Sequence, residues 1–278
     1  MGLPLSSQTL FNVSMAIYLI TFLGYLIFTT SQNKSLGVLS TYLLLGGLII
    51  HSGGLVLRWI ETHQTGYGYV PLSNMYESLI FFSWTIVLIY LIIEWKYQQK
   101  IIGLFVTPFA FLAIALTSII PGVEAKITPL VPALQSNWLA IHVITCFFGY
   151  ASFAVSFGIS LLYLIREKKE GISKWLPSAP LLDEINYKSI IIGFPMLTLG
   201  IVTGAAWANY AWGTYWSWDP KETWSLITWF IYAAFLHARI TRDWRGKKAA
   251  VLSIVGFSAV LFTYFGVNYL LSGLHSYL

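Results

Sequence analysis

The chain has 278 residues, of which 57% are hydrophobic and only 10% charged, with a net charge of +5 and a mean hydropathy of +0.70. A water-soluble domain carries roughly 25% charged residues, so the deficit excludes that class and points to a chain that crosses a membrane repeatedly. There is no GxxxxGK[ST] loop for a nucleotide phosphate and no pattern that asks for nucleic acid. The lone Cys146 forms neither an internal disulfide nor a Cys-x-x-Cys site, and reads as a small apolar residue.

A membrane span needs about 20 apolar residues. Eight segments qualify in chain order: 10–29, 36–60, 75–95, 101–120, 137–165, 187–209, 220–240 and 248–272. All are expected to be helical, because a backbone facing lipid must satisfy its own hydrogen bonds. The first run has no basic flank or small-residue cleavage site, so it is expected to be a span rather than a cleaved leader. Connections are short, the longest covering 166–186. The expected fold is therefore all-α: one polytopic membrane bundle of eight transmembrane helices over 1–278, with a tryptophan-rich segment at 207–229.

Lysine and arginine orient the bundle. The loops after spans 1, 3, 5 and 7 hold 13 of the 16 basic residues, and only Arg58, Lys126 and Lys221 lie on the other side. Basic loops face the cytoplasm, so both termini and the 207–229 segment are expected outside. Two helix starts are legible on that face. Asp219-Pro220-Lys221-Glu222 has an N-cap acid, a proline at the first helical position and a glutamate at N3. Asn74 and Glu77 repeat the spacing at the start of span 3. Gly200 and Gly204, with Ala208 a turn later, suit close helix packing in span 6.

The stretch WGTYWSWDPKETWSLITW (212–229) is the densest aromatic patch of the chain. Interfacial tryptophans commonly form a belt around a bundle. Here Trp207, Trp212, Trp216, Trp218 and Trp224 crowd one short segment, and the alternative to a belt is a platform for a flat apolar ligand at the membrane surface. Of the five histidines, His142 lies five residues into span 5, near its outer end, and His275 follows span 8, at similar depth and on the same side as the patch. Two neutral imidazoles beside an aromatic shelf suit bis-histidine ligation of a haem iron. His237 lies at the opposite, cytoplasmic end of span 7. His51 carries no assignment, and His63 reads as a solvated histidine in an outer loop.

The patch resembles the tryptophan-rich (WWD) signature of the haem-handling membrane proteins of cytochrome c assembly, the group of CcsA (ResC), CcmC and CcmF, and most resembles its CcsA branch. VPLSNMYESLIFFSW (70–84), LVPALQSNWLAIHV (130–143), FLHAR (235–239) and GVNYLLSGLHSYL (266–278) agree with that branch in order. The resemblance implies a heme lyase: ferrous haem b is carried outward and presented for thioether attachment to the Cys-x-x-Cys-His of an apocytochrome c. It also implies a CcsB (ResB)-like membrane partner and thiol-reducing proteins, in a bacterial inner membrane or a thylakoid. His142 and His275 would ligate the outer haem, His237 an inner haem shared with the partner, and the five tryptophans with Asp219 would line the outer site. Two alternatives are a non-enzymatic haem carrier of the CcmC type and a cytochrome b-like electron-transfer subunit.

Overall fold

The computed structural model describes residues 6–168, 176–271 and 273, and these contain helices, turns and no strand. The long helices are α1 (Ser7–Ser31), α2 (Lys34–Gln64), α3 (Met75–Tyr97), α4 (Ile102–Ile119), α5 (Asn137–Lys168), α6 (Ala179–Trp212), α7 (Pro220–Arg242) and α8 (Lys247–Leu261). A π-helical turn, Phe262–Gly266, continues α8 into the short α9 (Val267–Leu270). Each predicted span corresponds to one of these, with α8, the π turn and α9 together forming the last.

Seven of the helical stretches are long and apolar enough to cross a membrane. The exception is α7, which has the length but opens on Lys221 and Glu222 and carries Thr223, Ser225, Thr228 and the rings of Trp224, Trp229 and Tyr232. Large apolar side chains such as Ile20, Ile27, Ile49, Val56 and Val202 are exposed along the other helices, the composition expected of surfaces that face lipid.

Most helices outrun the apolar runs by a few residues, and two extensions move a residue of interest. α6 begins eight residues before 187, because Asp183 and Asn186 are buried within it and satisfied by tertiary partners. Lys188 is therefore helical rather than part of a loop, while Lys169 and Lys174 lie outside the described residues. α2 runs on to Gln64, so His63 sits in its last turn rather than in a loop, exposed against the Trp59 ring.

The chain divides into two compact units, residues 1–135 and 136–278. In the first, α1 packs against α2 and α4, and α3 against α4. Buried charge ties its helices at both ends. The Arg58 guanidinium meets the Glu77 carboxylate at 3.1 Å and donates to the Ala125 carbonyl at 2.7 Å. The other Glu77 oxygen accepts the Ser73 backbone N–H, one residue beyond the Asn74 cap that sequence spacing suggests. Near the opposite end of α2, Glu94 takes Lys100 at 2.8 Å, the Tyr25 hydroxyl at 2.7 Å, and the hydroxyls of Tyr90 and Thr41. Ion pairs this deeply buried need such additional hydrogen bonds to offset their desolvation.

In the second unit α5 and α6 pack along most of their length. Gly149 allows the approach: a side chain there would press on the backbone of Gly193 and Leu197. Ser156 bonds both Asn186 and Ser253, joining α5, α6 and α8. The Phe153 and Tyr232 rings stack at 3.6 Å between α5 and α7. At one end Asp183 pairs with Arg239 at 2.6 Å and accepts the Gly246 N–H at 2.7 Å, pinning the α7–α8 turn to α6.

Candidate functional site: a histidine cavity in the second unit

The link from α6 to α7, residues 213–219, carries the middle of the tryptophan-rich segment, with Trp216 and Trp218. Gly213 ends α6 with a φ of +79°, a left-handed value that glycine adopts without strain. Asp219 then caps α7, its side chain accepting the Lys221 N–H at 2.9 Å. Glu222 reaches back to the N–H groups of Asp219 at 3.3 Å and Ser217 at 2.7 Å. The capping box read from the sequence is present, and both carboxylates are committed to shaping the turn. Trp218, immediately before the cap, has a φ of +60°. A bulky residue rarely occupies that region, and here it leaves the indole 68% exposed.

His142 lies in the second turn of α5, against α6. Its Nδ1 is 2.7 Å from the Gly200 carbonyl oxygen. A carbonyl only accepts, so Nδ1 carries the proton, and the neutral ring keeps its lone pair on Nε2, the form that binds a metal. Gly204 makes room for the ring: a Cβ there would overlap His142 Nδ1 and Cε1. The Trp207 indole stacks on the imidazole, with centroids 6.0 Å apart and planes 18° from parallel. Cys146, one turn along α5, occupies the matching position against Gly200, its sulfur 3.7 Å from Nδ1.

A cavity of about 90 Å³ opens beside this histidine, with Trp216, Tyr215, Lys221 and Tyr264 also in its wall. Pockets that enclose a small molecule whole run to roughly 300–1,000 Å³. This one is smaller than that, and the exposed ring of Trp218 lies outside its wall.

The expected site residues separate into groups. Trp207 is buried against His142, and Trp212 meets Trp207 edge-on at 5.1 Å and 70°. Trp216 and Trp218 are perpendicular at 5.7 Å. Trp224 turns away to Phe262, 4.2 Å between centroids. The five rings therefore share no single plane. His237 is exposed on α7, 17 residues past Pro220 and so about 25 Å along the helix axis. His275 lies outside the described residues. His51 is fully buried in the first unit, bonded through Nδ1 to the Tyr18 hydroxyl at 3.1 Å.

Lys221, Asn268, Cys146 and the seat formed by Gly200 and Gly204 escaped sequence reasoning as parts of this site. One signal was present: Gly200 and Gly204 share the four-residue spacing of His142 and Cys146, the register of two faces that interlock.

The comparisons agree on one family. The family model described as "Cytochrome C assembly protein" matches residues 72–275. The chain is 40% identical to "Cytochrome c biogenesis protein CcsA" of Guillardia theta, over 96% of this chain and 94% of that protein. It is also 40% identical to the CcsA of Mesostigma viride, over 96% and 95%. Among solved structures, "Cytochrome c Heme Lyase CcmF" superposes with a TM-score of 0.73 at 18% identity, covering 95% of this chain. This chain spans about half of CcmF, 48% of its length, and at that identity the likeness is one of fold. By sequence over nearly its full length, the chain belongs to the cytochrome c assembly family, in its CcsA branch.

Proposed function

We propose that this integral membrane protein of cytochrome c biogenesis carries haem to the outer face of its membrane and presents it for covalent attachment to an apocytochrome c. The observation that carries the reading is His142: an imidazole held in one tautomer by the Gly200 carbonyl, stacked on Trp207 and opening on a cavity beside Trp216. That is a prepared axial ligand for a porphyrin iron.

The cavity is too small for a whole macrocycle, so the porphyrin face lies across its mouth, where Trp216, Trp218 and Tyr215 supply aromatic area. His275 is the second axial ligand. Its support is its place in the chain, two residues beyond Gly273, where a side chain would run into Asp219 at the start of α7. Two histidine ligands leave the iron no open position while chemistry proceeds at the porphyrin edge. There each cysteine thiol of the Cys-x-x-Cys-His adds across a vinyl group, sulfur bonding one carbon and the proton going to the other. The incoming histidine replaces one ligand and releases the product. The protein's share is orientation and exclusion of competing ligands.

His237 belongs to a second, inner haem position completed by a CcsB-like partner, which its exposure on α7 supports. All eight helical stretches span the membrane, α7 included, with the tryptophan-rich segment outside and the basic loops in the cytoplasm. The membrane is a bacterial inner membrane or a thylakoid.

The test is co-production with a CcsB-like partner and an apocytochrome in cells lacking their own assembly system. Covalent haem on a denaturing gel is expected, and His142→Gly and His275→Gly should each abolish it, with added imidazole restoring part. Haem that is bound but never becomes covalent would establish a carrier of the CcmC type instead. Full covalent attachment in both glycine variants would overturn the ligand assignment.

A further inference from the structure

The five tryptophans of the patch stand differently towards the cavity. Trp216 is in its wall, whereas Trp207 is not among the described residues that line it. Trp207 is instead buried against His142, its indole offset-stacked on the imidazole at 6.0 Å and 18°. What a ring in that place can do follows from how the histidine is held.

One face of α6 supplies three contacts to the imidazole. The Gly200 carbonyl oxygen takes the Nδ1 proton at 2.7 Å, Gly204 leaves the space in which the ring lies, and Trp207 covers the ring itself. Positions 200, 204 and 207 follow at the four- and three-residue steps that share a helix face. A single hydrogen bond fixes one atom of an imidazole. The ring can still swing about the line from Cβ to that nitrogen, and a flat indole on its face stops the swing. Trp207 is braced in turn by Trp212, the last residue of α6, edge-on at 5.1 Å and 70°. The cavity wall has other ties, such as the Lys221 ammonium donating to Asn268 Oδ1 at 3.0 Å between α7 and α9. It therefore has support apart from this indole.

We propose that Trp207 is a positioning residue, which fixes the plane of the His142 imidazole and acts on the haem through it. This rests on reading the cavity as the outer haem site, and it removes Trp207 from the aromatic platform that composition suggests. Groups that orient a ligating histidine set the direction of its lone pair and tune the iron it holds. The site needs Nε2 aimed along one line while an incoming chain works at the porphyrin edge. A swinging ring would blur that aim.

The experiment reads ligand orientation separately from haem content. In a low-spin ferric haem the electron paramagnetic resonance g values follow the angle between the two axial imidazole planes. They are recorded for the detergent-purified complex with the CcsB-like partner, beside haem content by Soret absorbance. Trp207→Met, which fills space without a flat face, should shift or broaden the g values of the outer haem and leave its content near wild type. Trp207→Phe, which keeps a ring, should return the wild-type signal. Trp216→Leu should do the reverse, lowering content by about tenfold, the scale of one stacked ring, with the g values of what remains unchanged. If Trp207→Met fails to accumulate, Trp212→Leu loosens the indole from behind and should give the same shift in smaller measure.

Unchanged g values in Trp207→Met, or in Trp212→Leu when only that variant accumulates, overturn the positioning role. So does a shift that Trp207→Phe shares in full, since stacking then has no part in it. Loss of haem with unchanged g values in Trp207→Met would return this residue to the platform. His142→Gly tests the cavity itself: if that variant keeps the outer haem spectrum, the cavity is not the haem site, whatever Trp207 does.

Discussion

The two units spend their few polar residues differently. In the first, Arg58, Glu77, Glu94 and Lys100 are each bound to charged or hydroxyl partners on neighbouring helices. The buried His51 is packed against Phe11 and Tyr18. In the second, Ser156, Asn186 and Asp183 do comparable joining work, but His142 and Lys221 are positioned by their bonds towards a cavity. In a membrane, where polar groups are costly, a polar side chain that lines a cavity is a better mark of function than one enclosed among packed neighbours.

The contrast can be broken most decisively at the histidines. His142→Gly is expected to lose the outer haem spectrum and all covalent product, whereas His51→Phe should keep both, read by absorbance in the purified complex. Haem loss in the His51 variant would erase the division of labour between the units. Next in size is Arg58→Met, which leaves Glu77 buried without its cation. Removing one partner of a buried pair costs roughly 3–5 kcal/mol, so the protein should largely fail to accumulate, while what remains keeps a normal haem-to-protein ratio. A halved ratio in the surviving protein would place ligand function in the first unit.

Gly204→Ala sharpens the comparison by perturbing the seat and leaving the ligand. Overpacking of this kind costs roughly 1–3 kcal/mol, and the imidazole must tilt or break its bond to Gly200. The expected result is normal protein with a shifted or mixed-spin haem spectrum, and an unchanged low-spin spectrum would deny the seat its role. The smallest effect belongs to Asp219→Ala. Loss of an N-cap costs about 1 kcal/mol, seen as a modest drop in thermal stability of the solubilised protein, with Asp219→Asn close to wild type. Equal damage from both substitutions would assign the carboxylate a part beyond capping.

Much of the frame was legible in the chain itself. Eight apolar runs, the Asp219 cap and the place of His142 near the start of its helix follow from hydropathy and spacing, and the structure has a helix for every run. The early start of α6 was hidden because Asp183 and Asn186 read as loop residues, and their partners Arg239, Gly246 and Ser156 are distant in sequence. The extension of α2 past Ile60 was masked in the same way by Glu61, which accepts from the Ser7 N–H and hydroxyl. The arrangement of the tryptophans was out of reach for another reason. Composition counts rings, but their planes follow from backbone dihedrals such as the left-handed Trp218 and from particular neighbours such as Phe262.

The π turn at Phe262–Gly266 lets the last helix carry an extra residue without losing phase. Such a turn holds one residue more than an α turn. Deleting one residue there would restore a regular helix and leave Asn268 facing Lys221. Deleting one in the regular turns of α8 just before it would instead rotate everything beyond by about 100° around the axis. Asn268 would then swing off Lys221, and the chain that reaches Gly273 would leave from another side of the helix. Across these five residues a change of length is absorbed, and one turn earlier it is not.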